Sequence, residues 1–178
     1  MSDTTRSTQS THESDSKDIK LSELYDRFVE SSREAFELSK EKSGEAWEKS
    51  MEVARKKLEE TDEFSAEQGE AFKRYMRRDL EQTSEDIQHL GQEAKEILHP
   101  ARLGAGALSS LARFLNSAGD ALTSLSKKAE NALVYHSGEI TAAGTLTCSS
   151  CGHKIQLKKT AVVPTCPECQ GTSFRKGY

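Results

Sequence analysis

The chain has 178 residues, of which 30 % are charged and 6 % aromatic, with 29 acidic and 25 basic side chains. With a mean hydropathy of −0.71, this composition excludes a large apolar interior and suits long solvated helices with narrow apolar seams. No run of about 18 apolar residues is present, which excludes a membrane-spanning helix.

Residues 1–18, MSDTTRSTQSTHESDSKD, are polar and lack an apolar anchor. They are expected to form a disordered tail, and without an apolar secretory stretch the expected location is cytoplasmic. From Ile19 a helical rhythm begins, and the expected first helix covers about 20–60. Tyr25, Phe36, Trp47 and Leu58 recur every 11 residues, a spacing that keeps them on one face of a nearly straight helix as a packing seam. Gly44 is where that helix would bend or break.

The stretch TDEFSAEQ offers a turn and a restart. Ser65 and Gln68 have the spacing of a capping box opening a second helix over about 66–98. Met76, Leu80, Thr83, Ile87, Leu90, Ala94 and Ile97 follow at heptad steps, which favours pairing with another helix, within the chain or in a homo-oligomer. Pro100 ends the pattern.

A third segment, about 103–133, places Leu108, Leu111, Leu115, Ala118, Leu122, Leu125, Ala129 and Ala132 at steps of three and four. It reads as the inner helix of a three-helix antiparallel bundle. The competing reading is an exposed amphipathic helix for self-association or a membrane surface, with only Lys127 and Lys128 as a basic pair. The fold class is thus mainly α: a long antiparallel helical bundle or coiled coil over 19–133, acting as a rod, followed by a small C-terminal module over 134–178. Charge divides along the same line. Residues 19–100 carry 14 basic and 21 acidic groups, net −7, whereas residues 134–178 carry 5 and 2, net +3.

The C-terminal module mixes β-branched and aromatic residues with glycines and reads as short strands. About 45 residues cannot bury enough apolar surface to fold unaided. All four cysteines lie here, as Cys148-x-x-Cys151 and Cys166-x-x-Cys169 with 14 residues between the pairs. Two such turns brought together make a tetrahedral thiolate site for structural Zn²⁺. Iron is the rival metal, less favoured because nothing suggests electron transfer. Two disulfides are disfavoured by a reducing compartment, and a redox pair would need one Cys-x-x-Cys opening a helix. His136 and His153 are expected to be strand or turn residues, because four cysteines already close the tetrahedron. Gly152 supplies a positive-φ residue after the first turn, but Gln170 holds that place after the second, which predicts a strained or shifted knuckle.

VYHSGEITAAGTLTCSSCGHKI, together with PTCPECQGTSF, resembles the C-terminal region of the YbeL-like family of bacterial zinc-ribbon-containing proteins. Arg77 to Gln82, RRDLEQ, is similar to part of that family's helical region. The resemblance implies helices first, a rubredoxin-like zinc ribbon last, and Cys148, Cys151, Cys166 and Cys169 as zinc ligands. It implies no reaction and names no function.

No phosphate loop, nucleophile elbow or helical His pair occurs, so the expectation is a non-enzymatic protein. Its ribbon would mediate protein–protein interaction and its helices would serve as spacer or oligomerisation element. The alternative is a nucleic-acid-binding or regulatory protein, using Lys154, Lys158, Lys159, Arg175 and Lys176 with Tyr135, Phe174 and Tyr178 as stacking rings.

Overall fold

A computed structural model describes residues 5–40, 42–61, 64–97, 106–118 and 133–177, with side chains described for 16–40, 42–61, 64–86, 106–115 and 133–177. Helix α1 spans Thr5–Glu37, α2 Gly44–Glu60, α3 Ala66–Ile97 and α4 Ala107–Ala118. Six strands follow: β1 Val134–His136, β2 Ile140–Thr141, β3 Gly144–Cys148, β4 Lys154–Leu157, β5 Ala161–Val162 and β6 Ser173–Gly177.

Two expectations change at the N-terminal end. Helix α1 begins at Thr5, inside the stretch read as a tail, and the single helix expected over 20–60 is two helices. The sequence LSKEKSGE builds the break. Lys42 Nζ donates to the carbonyls of Phe36 and Glu37 at 2.6 and 2.9 Å, taking up acceptors that a helix end leaves unmet. Ser43 then caps α2, its hydroxyl accepting from the Ala46 N–H at 3.2 Å, with Gly44 as the first helical residue. The chain folds back, so Phe36 meets Trp47 near the turn at 6.1 Å between centroids, and Phe28 meets Phe64 beyond the end of α2 at 6.3 Å. Tyr25, Phe36, Trp47 and Leu58 are all buried. They line two facing helices instead of one straight one.

The capping box forms as expected. The Ser65 N–H donates to Gln68 Oε1 at 3.0 Å, and the Gln68 N–H donates to Ser65 Oγ at 3.3 Å. Met76, Leu80 and Thr83 are buried on α3; Ile87, Leu90, Ala94 and Ile97 lie outside the described side chains. Lys73 reaches Glu52 at 3.1 Å and Arg77 reaches Glu48 at 2.5 Å, joining α3 to α2.

Of the third expected helix, α4 is described, and residues 119–132 lie outside the described residues. Its members of the apolar core are Ala107, Leu111 and Phe114, with Leu108 and Leu115 at the margin, and Ser109, Ser110 and Ala112 are buried beside them. The burial is therefore rotated from the leucine seam read in the sequence, because Phe114 inserts between Phe36 and Trp47 at 4.5 and 4.0 Å. Helix α4 is anchored by α1: the Ala107 N–H donates to Asp26 Oδ1 at 2.7 Å, and Thr160 Oγ1 donates to the same oxygen at 2.5 Å.

Strands β1, β6, β3 and β4 form one antiparallel sheet in that order, and β2 pairs with β5 in a second. One face of the larger sheet buries Tyr135, Leu146, Cys148 and Phe174, joined by Val163 and Cys166. The opposite face exposes Val134, His136, Lys154, Gln156 and Arg175.

The sheets are not a module hung on a rod. Ile140 and Ala142 belong to the apolar core of the helices, and β2, β5 and β6 pack on α1 and α3. Asp79 of α3, fully buried, accepts from the Tyr25 hydroxyl at 3.1 Å, the Thr141 hydroxyl at 2.8 Å and the Ala142 N–H at 2.7 Å. Lys176 of β6 lies 3.8 Å from Asp79 Oδ1 and donates to Thr141 Oγ1 at 2.9 Å. Beside it Arg78 pairs with Glu139, donates to the Ile140 carbonyl at 3.1 Å and stacks on the Tyr135 ring at 3.8 Å. Burial lowers the Lys176 pKa against the pull of Asp79, and burial with Asp79 raises that of Tyr25.

Candidate metal centre

The four cysteines come from two tight turns that share one hydrogen-bond pattern. In the first, the Gly152 N–H donates to the Cys148 carbonyl at 2.9 Å, and the Cys148 N–H donates to the His153 carbonyl at 2.8 Å. In the second, the Gln170 N–H donates to the Cys166 carbonyl at 2.8 Å, and the Cys166 N–H donates to the Gly171 carbonyl at 2.9 Å. The knuckles therefore match residue for residue. Gly152 has φ +76°, and Gln170 takes the same region at φ 58°. The expected shift of the second knuckle does not occur: Gln170 accepts the left-handed conformation itself, at about 1–2 kcal/mol for a residue with a Cβ.

Gly171 has a different duty. A Cβ there would lie 3.2 Å from both Cys148 Sγ and Cys169 Sγ and 3.1 Å from Ser150 Oγ. The sulfur pair rests against bare backbone, and any side chain would press into it.

The Sγ atoms of Cys148, Cys151, Cys166 and Cys169 all lie within 4.8 Å of one another. Cys148 and Cys169 are 3.7 Å apart, and Cys151 and Cys166 are 3.5 Å apart. Disulfides would bring sulfurs to about 2.05 Å, and all four cysteines are free. A tetrahedron of Zn–S bonds of about 2.3 Å has edges of about 3.8 Å. The donor set and its spacing therefore fit a tetrahedral thiophilic metal ion.

Backbone N–H groups of Cys151 and Ser150 draw the Cys148 thiol down to about 6. Cys151 moves the other way, to about 12. The His153 N–H pulls it down, but the crowding of Cys169 first, then desolvation and the nearby Cys166 and Cys148, outweigh that pull. Four sulfurs this close cannot all carry charge without a cation among them. Thiolate charge and a bound metal thus require each other.

Neither histidine joins the cluster. His136 lies on β1 with Nδ1 3.4 Å from Ser173 Oγ, and His153 points Nδ1 toward Glu168 at 3.9 Å. The residues considered for nucleic-acid contact divide. Lys154, Lys158, Lys159 and Arg175 are exposed. Tyr135, Phe174 and Lys176 are buried, so these two rings offer no stacking face and the lysine is committed to Asp79. Tyr178 lies outside the described residues.

The sequence reading missed the junction beneath the sulfur site. Asp79, Arg78, Glu139, Thr141 and Lys176 were not identified as a group, although Arg78 and Asp79 fall in RRDLEQ and Glu139 in YHSGE. Those two stretches meet here, Glu139 also accepting from the His136 N–H at 2.9 Å. A period-two reading of SFRKG would have placed Lys176 on the inward face with Phe174.

Among the described residues no helix is long and apolar enough to cross a membrane. No curated protein and no solved structure matches the chain. Residues 34–177 match the family described as zinc-ribbon containing domain, and with most of its length inside that match the chain belongs to this family.

Proposed function

We propose that this is a non-enzymatic protein in which Cys148, Cys151, Cys166 and Cys169 hold one structural Zn²⁺. In this reading the ribbon so stabilised serves protein–protein interaction, presented by the helices. The observation that carries it is the closed four-sulfur cluster. Four protein ligands leave no coordination position for water or substrate, which is the mark of a structural and not a catalytic site. Zinc is preferred over iron because the family is described by its zinc ribbon. The likeness of about the last 45 residues to the YbeL-like proteins supports the same ligands. The setting is proposed to be cytoplasmic, where free thiols persist.

The surface open to a partner is the outer sheet face with Lys154, Gln156, Arg175 and His136. Burial of Tyr135 and Phe174 favours a protein partner over a single-stranded nucleic acid, whose binding leans on exposed rings. Elemental analysis of freshly purified protein tests the metal; about one zinc per chain is expected. Iron in its place would change the metal and keep the ligands, whereas no bound metal would end the proposal. Titration with single-stranded DNA at about 50 mM salt should show no retention; tight binding there would favour the nucleic-acid reading instead.

A further inference from the structure

The sulfur site and the helical core are joined by one strand. Strand β6 pairs with β3 so that Phe174 faces Cys148 and Lys176 faces Leu146. Upstream, β6 is reached through Gly171, whose backbone lies against two of the sulfurs. Downstream, Lys176 is seated beside Asp79 with its side chain wholly buried. The register of β6 is therefore set at one end by the cysteine cluster and at the other by a carboxylate of α3. That carboxylate also holds Tyr25 of α1, Thr141 of β2 and Ala142 just after it. A buried charge is tolerated only while its partners are in place.

We propose that metal occupancy governs closure of the helices: with the four sulfurs bound, β6 holds Lys176 against Asp79 and the helices close on Ile140 and Ala142; on metal loss β6 releases Lys176 and this face of α1 and α3 opens. This rests on the metal reading above. The device makes an apolar surface, hidden under the ribbon in the loaded protein, conditional on metal supply. The junction serves the switch as a positioning element and touches no metal itself.

The test uses the full chain, with metal content measured in every sample. Hydrogen exchange is followed around Tyr25, Asp79 and Trp47 before and after metal removal by chelation. Exchange around Tyr25 and Asp79 is expected to speed up about tenfold or more, while that around Trp47 changes by less than about twofold. Coupling between two sites is reciprocal, so Lys176→Met should weaken Zn²⁺ affinity by a similar factor in competition with a chromophoric chelator. Thr141→Val keeps both charges, removes one hydroxyl and should shift the affinity in the same direction by less; it decides the matter if Lys176→Met does not fold. Unchanged exchange on metal removal, or wild-type Zn²⁺ affinity in the folded variants, would overturn the coupling and leave the structural site standing. A full-length protein that binds no metal at all would overturn both.

Discussion

The helices and the ribbon reach a buried core by different means. The helices concentrate a scarce aromatic supply in two clusters: Tyr25, Phe28, Phe64 and Phe72 at one end, and Phe36, Trp47 and Phe114 at the other. The ribbon has Tyr135, Leu146, Val163 and Phe174, and completes its interior with Cys148 and Cys166. All six phenylalanines of the chain are buried. A low aromatic fraction therefore does not exclude an apolar core; it restricts where one can be. Where rings suffice the fold needs nothing else, and where they run out the sulfur cluster takes over.

The sharpest way to break that comparison is to remove one buried sulfur. Cys166→Ser should reduce bound metal from about one per chain toward zero. Amide protection in β3 and β6 should be lost while Trp47, the single tryptophan, keeps its native emission. Retained protection in both strands would mean that the ribbon folds on side chains alone.

Next in size is the seam between the regions. Asp79→Ala leaves the Lys176 ammonium buried without its carboxylate and three donors without an acceptor, and it should destabilise the protein by about 3–5 kcal/mol in urea unfolding. A loss below about 1 kcal/mol would mean that water enters and the two regions are independent.

Smaller again is the second knuckle. Gln170→Gly relieves a left-handed residue and should stabilise the ribbon by about 1 kcal/mol. Gly171→Ala should act oppositely, because its Cβ would crowd two sulfurs. Thermal unfolding of the metal-loaded protein checks both signs.

The smallest effect concerns acid. Arg55 and then Lys73 hold the Glu52 carboxyl at about 2, below its ordinary 4.5. A carboxylate held low in the folded state stabilises it above the ordinary value, and that contribution fades as pH falls from about 4.5 to about 2. Protection factors of α2 amides, taken against the intrinsic exchange rate at each pH, should fall over that window, and Glu52→Gln should flatten the fall.

The parts legible in the sequence were those with a local rule. Two Cys-x-x-Cys turns carry their own spacing rule, so the gathering of the four sulfurs could be read directly. The capping box at Ser65 and Gln68 is a four-residue code and formed as written. The 11-residue seam was ambiguous because periodicity records which side chains are buried, not which partner buries them. Tyr25 and Trp47 satisfy one straight helix or two facing ones equally well, and Ser43 with Gly44 decided the matter. The rotation of α4 was hidden because Phe114 interrupts a leucine pattern that looked complete. Asp79 and Lys176 were harder still. Each sits at a position that its element's period marks as inward, but nothing local says that two buried charges far apart in the chain belong to each other.

Strand β2 carries Ile140 into the helices' interior, and that has a consequence for inheritance. Grafting the cysteine-bearing end onto an unrelated chain would deliver an apolar plug with no socket and leave the donor with a hole. Fusion or shuffling at this boundary would therefore carry a packing cost on both sides.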